Sequence, residues 1–295
     1  MNDQDQLAER FEQHRVHLRA VSYRLLGSLS EADDAVQEAW LRLSGTDASR
    51  VEDLGAWLTT VVARICLNTL RSRATRREEP IDAYVPDPII SPVGAVDPAH
   101  EALIGDSVGL ALLIVLEALG PAERLAFVLH DIFDVPFEAI AQIIDRSESA
   151  ARQLGSRARR RLRTAVTPDA DVSAQWELVD AFLAAARDGD FEGLLAVLDP
   201  DVVRRLDAGA EAPDVPRLLR GARSLAAGAI SFQTLGYASR RVLVNGAPGM
   251  ITFADGEPYT VVGFTIARGK IVEMNIIGNR DRLGRMDLTA APPLG

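Results

Sequence analysis

The feature that most restricts the fold is a change of hydrophobic period along the chain, punctuated by two proline-bearing breaks. Up to about residue 165 the apolar residues recur at spacings of three and four, the helical period; from about residue 240 they alternate, as in half-buried strands. The breaks are Glu79 to His100, with Pro80, Pro86, Pro88, Pro92 and Pro98, and Val166 to Val172 around Pro168. Proline fixes its own φ and restricts the residue before it, so both are expected as extended connectors rather than packed elements. Three segments result, and 295 residues are ample to bury more than one core.

In the first segment Ser30, with Asp33 three residues on, has the form of a capping box, and Ala32, Val36, Ala39 and Leu43 continue one apolar stripe. A longer helix is expected from about Asp53, with Leu54, Leu58, Val61 and Ile65 on one face. Its other face carries Thr60, Arg64, Asn68, Arg71 and Thr75, and Arg73, Arg76 and Arg77 crowd its end. In the second segment Gly120-Pro121 stops one helix and starts another. After Pro136 a short helix holds Phe137, Ile140, Ala141 and Ile144, and Ser147 is positioned as the N-cap of the next. That helix turns Ala151, Leu154, Ala158 and Leu162 inward and Ser149, Arg152, Gln153, Ser156, Arg157, Arg160 and Arg163 outward. The third segment begins with two amphipathic helices, around Phe182 and Leu194. Strands follow at Arg240–Asn245, Met250–Phe253, Tyr259–Ala267 and Lys270–Ile277, with Arg268-Gly269 turning the last hairpin. Helices followed by antiparallel strands indicate an α+β domain.

Taken globally, charge opposes a nucleic-acid partner, because the chain carries a net charge of -10. The local distribution reverses that inference. Arg146 to Arg163 holds seven Arg against one Glu, and Arg64 to Arg77 holds five Arg and no acid. Phosphates respond to the field within about 8 to 10 Å at physiological ionic strength, so two cationic helices outweigh a distant acidic surface. Two short helices joined by a tight turn, the second rich in Arg, Ser and Gln, have the composition of a helix-turn-helix whose second helix enters the major groove. The competing account of each arginine face is a solvated helix with no ligand. The single cysteine, Cys66, cannot form an internal bridge, the N-terminus lacks the pattern of a signal peptide, and no stretch approaches the roughly 20 apolar residues of a membrane span. A cytoplasmic location is expected.

Glu31-Ala-Asp-Asp-Ala-Val-Gln-Glu-Ala-Trp-Leu-Arg42, followed by Ala56-Trp-Leu-Thr-Thr-Val-Val-Ala-Arg64, resembles region 2 of bacterial sigma-70-family factors of the extracytoplasmic-function (ECF) group. Leu119-Gly-Pro-Ala-Glu-Arg-Leu-Ala-Phe-Val-Leu-His-Asp131, with Phe137-Glu-Ala-Ile-Ala-Gln142 and Ala150-Ala-Arg-Gln-Leu154, resembles region 4. The resemblance implies a factor that binds core RNA polymerase and directs promoter-specific initiation through the minus-10 and minus-35 elements. It implies that Asp33, Gln37, Glu38, Trp40 and Leu41 dock on the β′ clamp helices, and that region 4 meets the β flap. Arg64, Asn68, Arg71, Arg73, Arg76 and Arg77 would hold the minus-10 DNA, with the loop Gly45 to Val51 near the melted base. Ser149, Arg152, Gln153, Ser156, Arg157 and Arg160 would read minus-35. The proline-rich connector, made acidic by Asp82, Asp87 and Asp97, would be the linker between regions 2 and 4.

The third segment resembles the SnoaL-like, NTF2-like α+β fold, and sigma factors of the SigJ type carry such a domain after regions 2 and 4. Those relatives have Trp-Leu-Pro-Glu-Pro in the linker, Asp-Gly-Gly-Gly in the C-terminal domain and Asn-Pro-Asp-Lys near the end. The corresponding segments here are Tyr84-Val-Pro-Asp-Pro88, Asp207-Ala-Gly-Ala210 and Asn279-Arg-Asp-Arg-Leu283. The expected organisation is therefore multidomain: an all-α region 2 bundle over 1–78, a linker over 79–101, an all-α region 4 with helix-turn-helix over 102–165, and a SnoaL-like α+β domain over 173–287.

SnoaL-type enzymes use a cavity Asp as acid or base, which makes Asp207 the candidate catalytic group. None of His14, His17, His100 and His130 lies in this segment, however, and Asp207 stands where a turn-forming Asp is common, so no catalysis, metal or cofactor is expected. Instead the domain is expected to contact the sigma regions and linker, with Asp207, Asn279, Asp281 and Leu283 at or near that contact. A pocket in this fold can also take a small-molecule effector. The alternative to a sigma factor is a metabolite-responsive DNA-binding regulator, or a cyclase-like enzyme, using that pocket.

Overall fold

The computed structural model describes residues 3–46, 51–76, 85–94, 109–163, 167–209, 215–233 and 235–290, and of residues 3, 4, 76 and 233 the backbone alone. Arg77, Asp82, Asp97 and residues 47–50 of the expected minus-10 loop lie outside the described residues, as does the side chain of Arg76. The chain divides into two compact units.

The first unit holds three helices of region-2 type and the helices that follow the linker. α1 (Asp3–Leu26), α2 (Leu29–Ser44) and α3 (Leu54–Arg76) bury Leu18, Tyr23, Leu25, Leu43, Leu58 and Leu67 between them, each such burial being worth about 1.5 to 3 kcal/mol. Asp53 starts α3, its carboxylate accepting the Ala56 N–H at 3.0 Å. The capping box expected at Ser30 is corrected. Gly27, at φ 65°, ends α1 and turns the chain at once, so Ser28 is the extended residue before α2 and makes no side-chain cap, while Ser30 lies inside the first turn.

After the linker come α4 (Leu110–Glu117), whose first turn belongs to the second unit, and α5 (Pro121–Phe127), with Pro121 at its first turn after Gly120. A π-helical turn over Val128–Ile132 extends α5. α6 (Phe137–Ile144) and α7 (Glu148–Leu162) complete the unit.

The second unit is built on one seven-stranded sheet in the order β1-β4-β5-β6-β7-β2-β3. Its strands are β1 (Ile90–Ser91), β2 (Leu198–Asp207), β3 (Leu218–Arg220), β4 (Ala238–Val244), β5 (Ala247–Ala254), β6 (Glu257–Ala267) and β7 (Lys270–Ile277). All neighbours are antiparallel except β2 and β7. α8 (Val172–Asp188), α9 (Phe191–Val197) and α10 (Ala222–Gln233) contribute Val179, Phe182, Leu194 and Leu225 to a core shared with Val262, Phe264 and Met274 of the sheet; α11 (Arg280–Leu283) follows β7. The expected α+β domain is therefore present. Arg268-Gly269 makes the expected turn with φ 54° and 65°, and the Asp169 carboxylate accepts both of its N–H groups at 2.9 Å.

The expectation that the proline-rich stretch is an unpacked connector is corrected for residues 85–91. Val85, Ile89 and Ile90 are buried, and Ile90 and Ser91 pair with Val244 and Leu243 of β4. Asn245 closes the contact from both sides: its N–H donates to the Ile89 carbonyl at 2.8 Å and its side chain accepts from the Ile89 N–H at 3.0 Å. Three apolar side chains make burial favourable, and the prolines flank the paired residues rather than occupying them.

Candidate nucleic-acid interface

α7 is placed by its own turn chemistry. α6 ends in the left-handed residue Asp145, at φ 56° and ψ 55°, where a short polar side chain is tolerated, and the Arg146 N–H returns to the Ala141 carbonyl at 3.0 Å. Ser147 then caps α7, its side chain accepting from the Ala150 N–H at 3.3 Å. Gly155 allows the close approach of the two helices, since a Cβ there would stand 3.1 Å from the Phe137 ring. With Ala151, Leu154, Gly155 and Ala158 buried, the opposite face of α7 carries Ser149, Arg152, Gln153, Ser156, Arg157 and Arg160, all exposed.

The arginines on α7 are held by acids of their own unit. Arg157 and Arg161 both reach Glu123, at 3.2 and 2.9 Å, Arg159 reaches Asp131 at 3.4 Å, and Arg152 pairs with Glu148 one turn earlier while lying over the Phe137 ring. The Arg152–Glu148 pair is exposed on both sides and worth roughly 0 to 1 kcal/mol, and the arginine partner of every one of these pairs is exposed and within reach of a phosphate.

On α3, Arg64, Asn68 and Arg71 are exposed along one stripe. Arg64 donates to the Gln142 carbonyl of α6 at 3.1 Å, which joins the two candidate DNA-binding parts within one unit. Arg73 does not belong to the outward group. Its guanidinium turns inward to the Leu26 carbonyl at 2.7 Å and to both carboxylate oxygens of Glu31. A second arginine joins the same two parts of the unit: buried Arg124 of α5 pairs with buried Glu117 and donates to the Arg24 carbonyl of α1 at 3.2 Å. Sequence periodicity does not single out Arg124, because in isolation it is one more charge on a short helix.

α2 buries Ala32, Ala35, Val36, Ala39 and Leu43 and turns Asp33, Gln37, Glu38 and Leu41 outward. Leu41 is 61% exposed and lies on an otherwise polar face of the helix. Trp40 is half-buried, its ring 5.1 Å from that of Phe11. Asp33 accepts from Arg19 Nε at 2.6 Å and Nη2 at 3.1 Å, and Glu38 pairs with Arg42.

In the second unit the three altered motifs meet at Arg282. Its guanidinium donates to Asp87 of the linker at 2.6 Å and to Asp207 at the end of β2 at 2.7 Å. Asn279 caps α11, accepting the Arg282 N–H at 3.2 Å, and the Asp207 carboxylate also closes a turn by accepting the Gly209 N–H at 3.0 Å. Of the expected contact residues, Asp207 and Asn279 join this cluster, Leu283 is buried and Asp281 is exposed. Arg282 itself carries the contact, and its only sequence signal is its place within the 279–283 motif.

Comparison with known proteins agrees with these parts. The family profile described as Sigma-70 region 2 matches residues 10–76, and Sigma-70, region 4 matches residues 110–162. The chain is 37% identical over 287 residues to the ECF RNA polymerase sigma factor SigJ of Mycobacterium tuberculosis, covering 92% of this chain and 91% of that protein. It is 35% identical over 284 residues to the probable ECF sigma factor SigI of the same species, covering 94% of each. The crystal structure of M. tuberculosis SigJ superposes with a TM-score of 0.76 at 34% identity, covering 94% of this chain and 98% of that one.

Proposed function

Because the chain belongs to the ECF sigma factors of the sigma-70 family and so directs transcription initiation at promoters with core RNA polymerase, we propose specific roles for the faces described above. The Asp33–Gln37–Leu41 face of α2, with Glu38 and Trp40 beside it, docks on the β′ clamp helices. The observation that carries this reading is Leu41, a large apolar side chain left in water where a partner would cover it. Arg64, Asn68 and Arg71 hold the minus-10 DNA, with Arg76 and Arg77 beyond them. Ser149, Arg152, Gln153, Ser156, Arg157 and Arg160 read minus-35, and region 4 rests on the β flap.

The two promoter elements lie about 25 base pairs apart, roughly 85 Å of duplex at about 3.4 Å per base pair. Helices joined through Arg64 and Arg124 in one compact unit cannot reach both at once, so engagement with polymerase separates regions 2 and 4. Tethering both halves to one enzyme then makes two weak contacts effective. The C-terminal domain tunes this step by holding the linker through Arg282, and its cavity is the place for a small-molecule effector.

Pull-down of core polymerase tests the docking face. Leu41→Asp is expected to lose the core enzyme while keeping the fold, because Leu41 packs against little in the free protein. Retention of polymerase by Leu41→Asp would reject this face. Removing the residues after Arg163 is expected to change output from a cognate promoter; unchanged output would remove the tuning role.

A further inference from the structure

Arg204 and Arg205 are neighbours on β2 and therefore point to opposite faces of the sheet. Arg205 lies 3.2 Å from Glu273. Arg204 instead lines a cavity of about 400 Å³ enclosed by the sheet, α8 and α10. Its guanidinium donates to the Pro216 carbonyl, but its buried Nε has no partner, and among the described residues no carboxylate lines the cavity. Burial is the force acting on its proton, disfavouring the charged form.

The rest of the wall is mostly apolar, with Phe182, Leu225, Phe232, Met250 and Met274 prominent, and it also carries Arg280 of α11. A second polar point is supplied by Thr252 and Thr260, whose hydroxyls lie 2.6 Å apart across β5 and β6. Strand register fixes the separation of the two points. Arg204 is in register with Met274; two residues on, Leu206, Ile276, Val262 and Met250 form one row; two residues beyond that stand Thr260 and Thr252. Four residues along the strands is about 13 Å and two to three strand spacings across the sheet add about 10 to 14 Å at right angles, so the backbones of the two points stand about 16 to 19 Å apart with the apolar row between. At about 30 Å³ per water, the cavity has room for roughly a dozen waters or an organic molecule of that bulk.

We propose that this cavity binds a small organic acid with an apolar body, its carboxylate on Arg204 and its far end toward the Thr252–Thr260 pair. A guanidinium facing a mostly apolar chamber, with no carboxylate among its described lining residues, is completed by an anionic ligand that brings its own counter-charge. The inference deepens the effector role and rests on it only for its effect on transcription; binding itself is measured separately.

Calorimetric and thermal-shift titration of the full chain with octanoate, decanoate and 3-phenylpropionate, each beside its primary amide, tests the proposal. At least one acid is expected to bind about tenfold or more tightly than its amide. Arg204→Met is expected to abolish that preference, while Arg204→Lys, which keeps the charge, retains part of it; a preference that survives Arg204→Met and is lost in Arg280→Met overturns the assignment of the carboxylate to Arg204. Ala229→Phe, which fills the cavity from α10, is expected to remove binding of acid and amide alike. Absence of binding by all three acids, equal affinity for acid and amide, or acid binding that survives Ala229→Phe overturns the proposal. The acid–amide comparison on the native chain stands even if an Arg204 variant fails to fold. An acid that binds but leaves transcription from a cognate promoter unchanged rejects the effector role and keeps the acid site.

Discussion

Arg124 and Arg282 perform the same task in the two units and do it under different conditions. Each guanidinium joins segments far apart in the chain, Arg124 reaching a carbonyl 100 residues away and Arg282 a carboxylate 195 residues away. The Arg124 and Glu117 side chains are 2% and 3% exposed, whereas Arg282, Asp87 and Asp207 are 17 to 20% exposed. When a sealed pair loses one member, the other charge stays buried and unpaired; when a wetted pair opens, water takes over each group. The sealed pair is therefore costly to open and keeps the free protein's helical unit closed, and the wetted one is suited to easy release and re-formation.

The largest expected effect is on the sealed pair. Arg124→Met should destabilise the first unit by about 3 to 5 kcal/mol in denaturant unfolding, and adding Glu117→Leu should recover much of that loss. Cys66 reports the same event: burial pushes its thiol up to about 12, so it should resist a thiol reagent at pH 8 in the native chain and label readily in Arg124→Met. A loss under 1 kcal/mol for Arg124→Met would erase the distinction between the two clasps.

Arg282→Ala should cost about 1 to 2 kcal/mol and act locally, speeding hydrogen exchange over residues 85–91 while leaving α5 to α7 unchanged. High salt should reproduce part of that change in the native chain, since this clasp is reached by water. Arg73→Ala tests an intermediate case, a half-buried ion pair, with an expected loss of about 1 kcal/mol. The smallest stability change, under about 0.5 kcal/mol, is expected for Arg157→Ala, whose effect should appear in DNA binding as a salt-dependence slope lower by about one.

Much of this contrast is invisible in the sequence for a definite reason. Periodicity identifies an outward stripe such as Arg64, Asn68 and Arg71, and it locates Ser147 because a cap is a local event. It cannot separate Arg73 from that group, since what turns Arg73 inward is Glu31, 42 residues earlier. The late strands were legible from alternation and from Arg268-Gly269; Asn245-Gly246 and Asp255-Gly256 are similar turn signals, with φ positive at all four residues. β2 was not legible, because Pro200 near its start and the adjacent Arg204-Arg205 break the alternating pattern, and its partner β7 lies some 70 residues later. The same break hides the cavity's cation, which reads as one of two equivalent arginines until the sheet assigns them to opposite faces.

The two residues of β1 have a consequence beyond holding the linker. They occupy the hydrogen-bonding side of β4 that would otherwise end the sheet. Any state in which the linker leaves this position uncovers the backbone donors and acceptors at the Leu243–Asn245 end of β4, extending an edge on which another extended chain can add itself. Release of the linker therefore exposes an adhesive edge, giving this sigma factor a reason to keep that state brief or to have a partner ready to cap it.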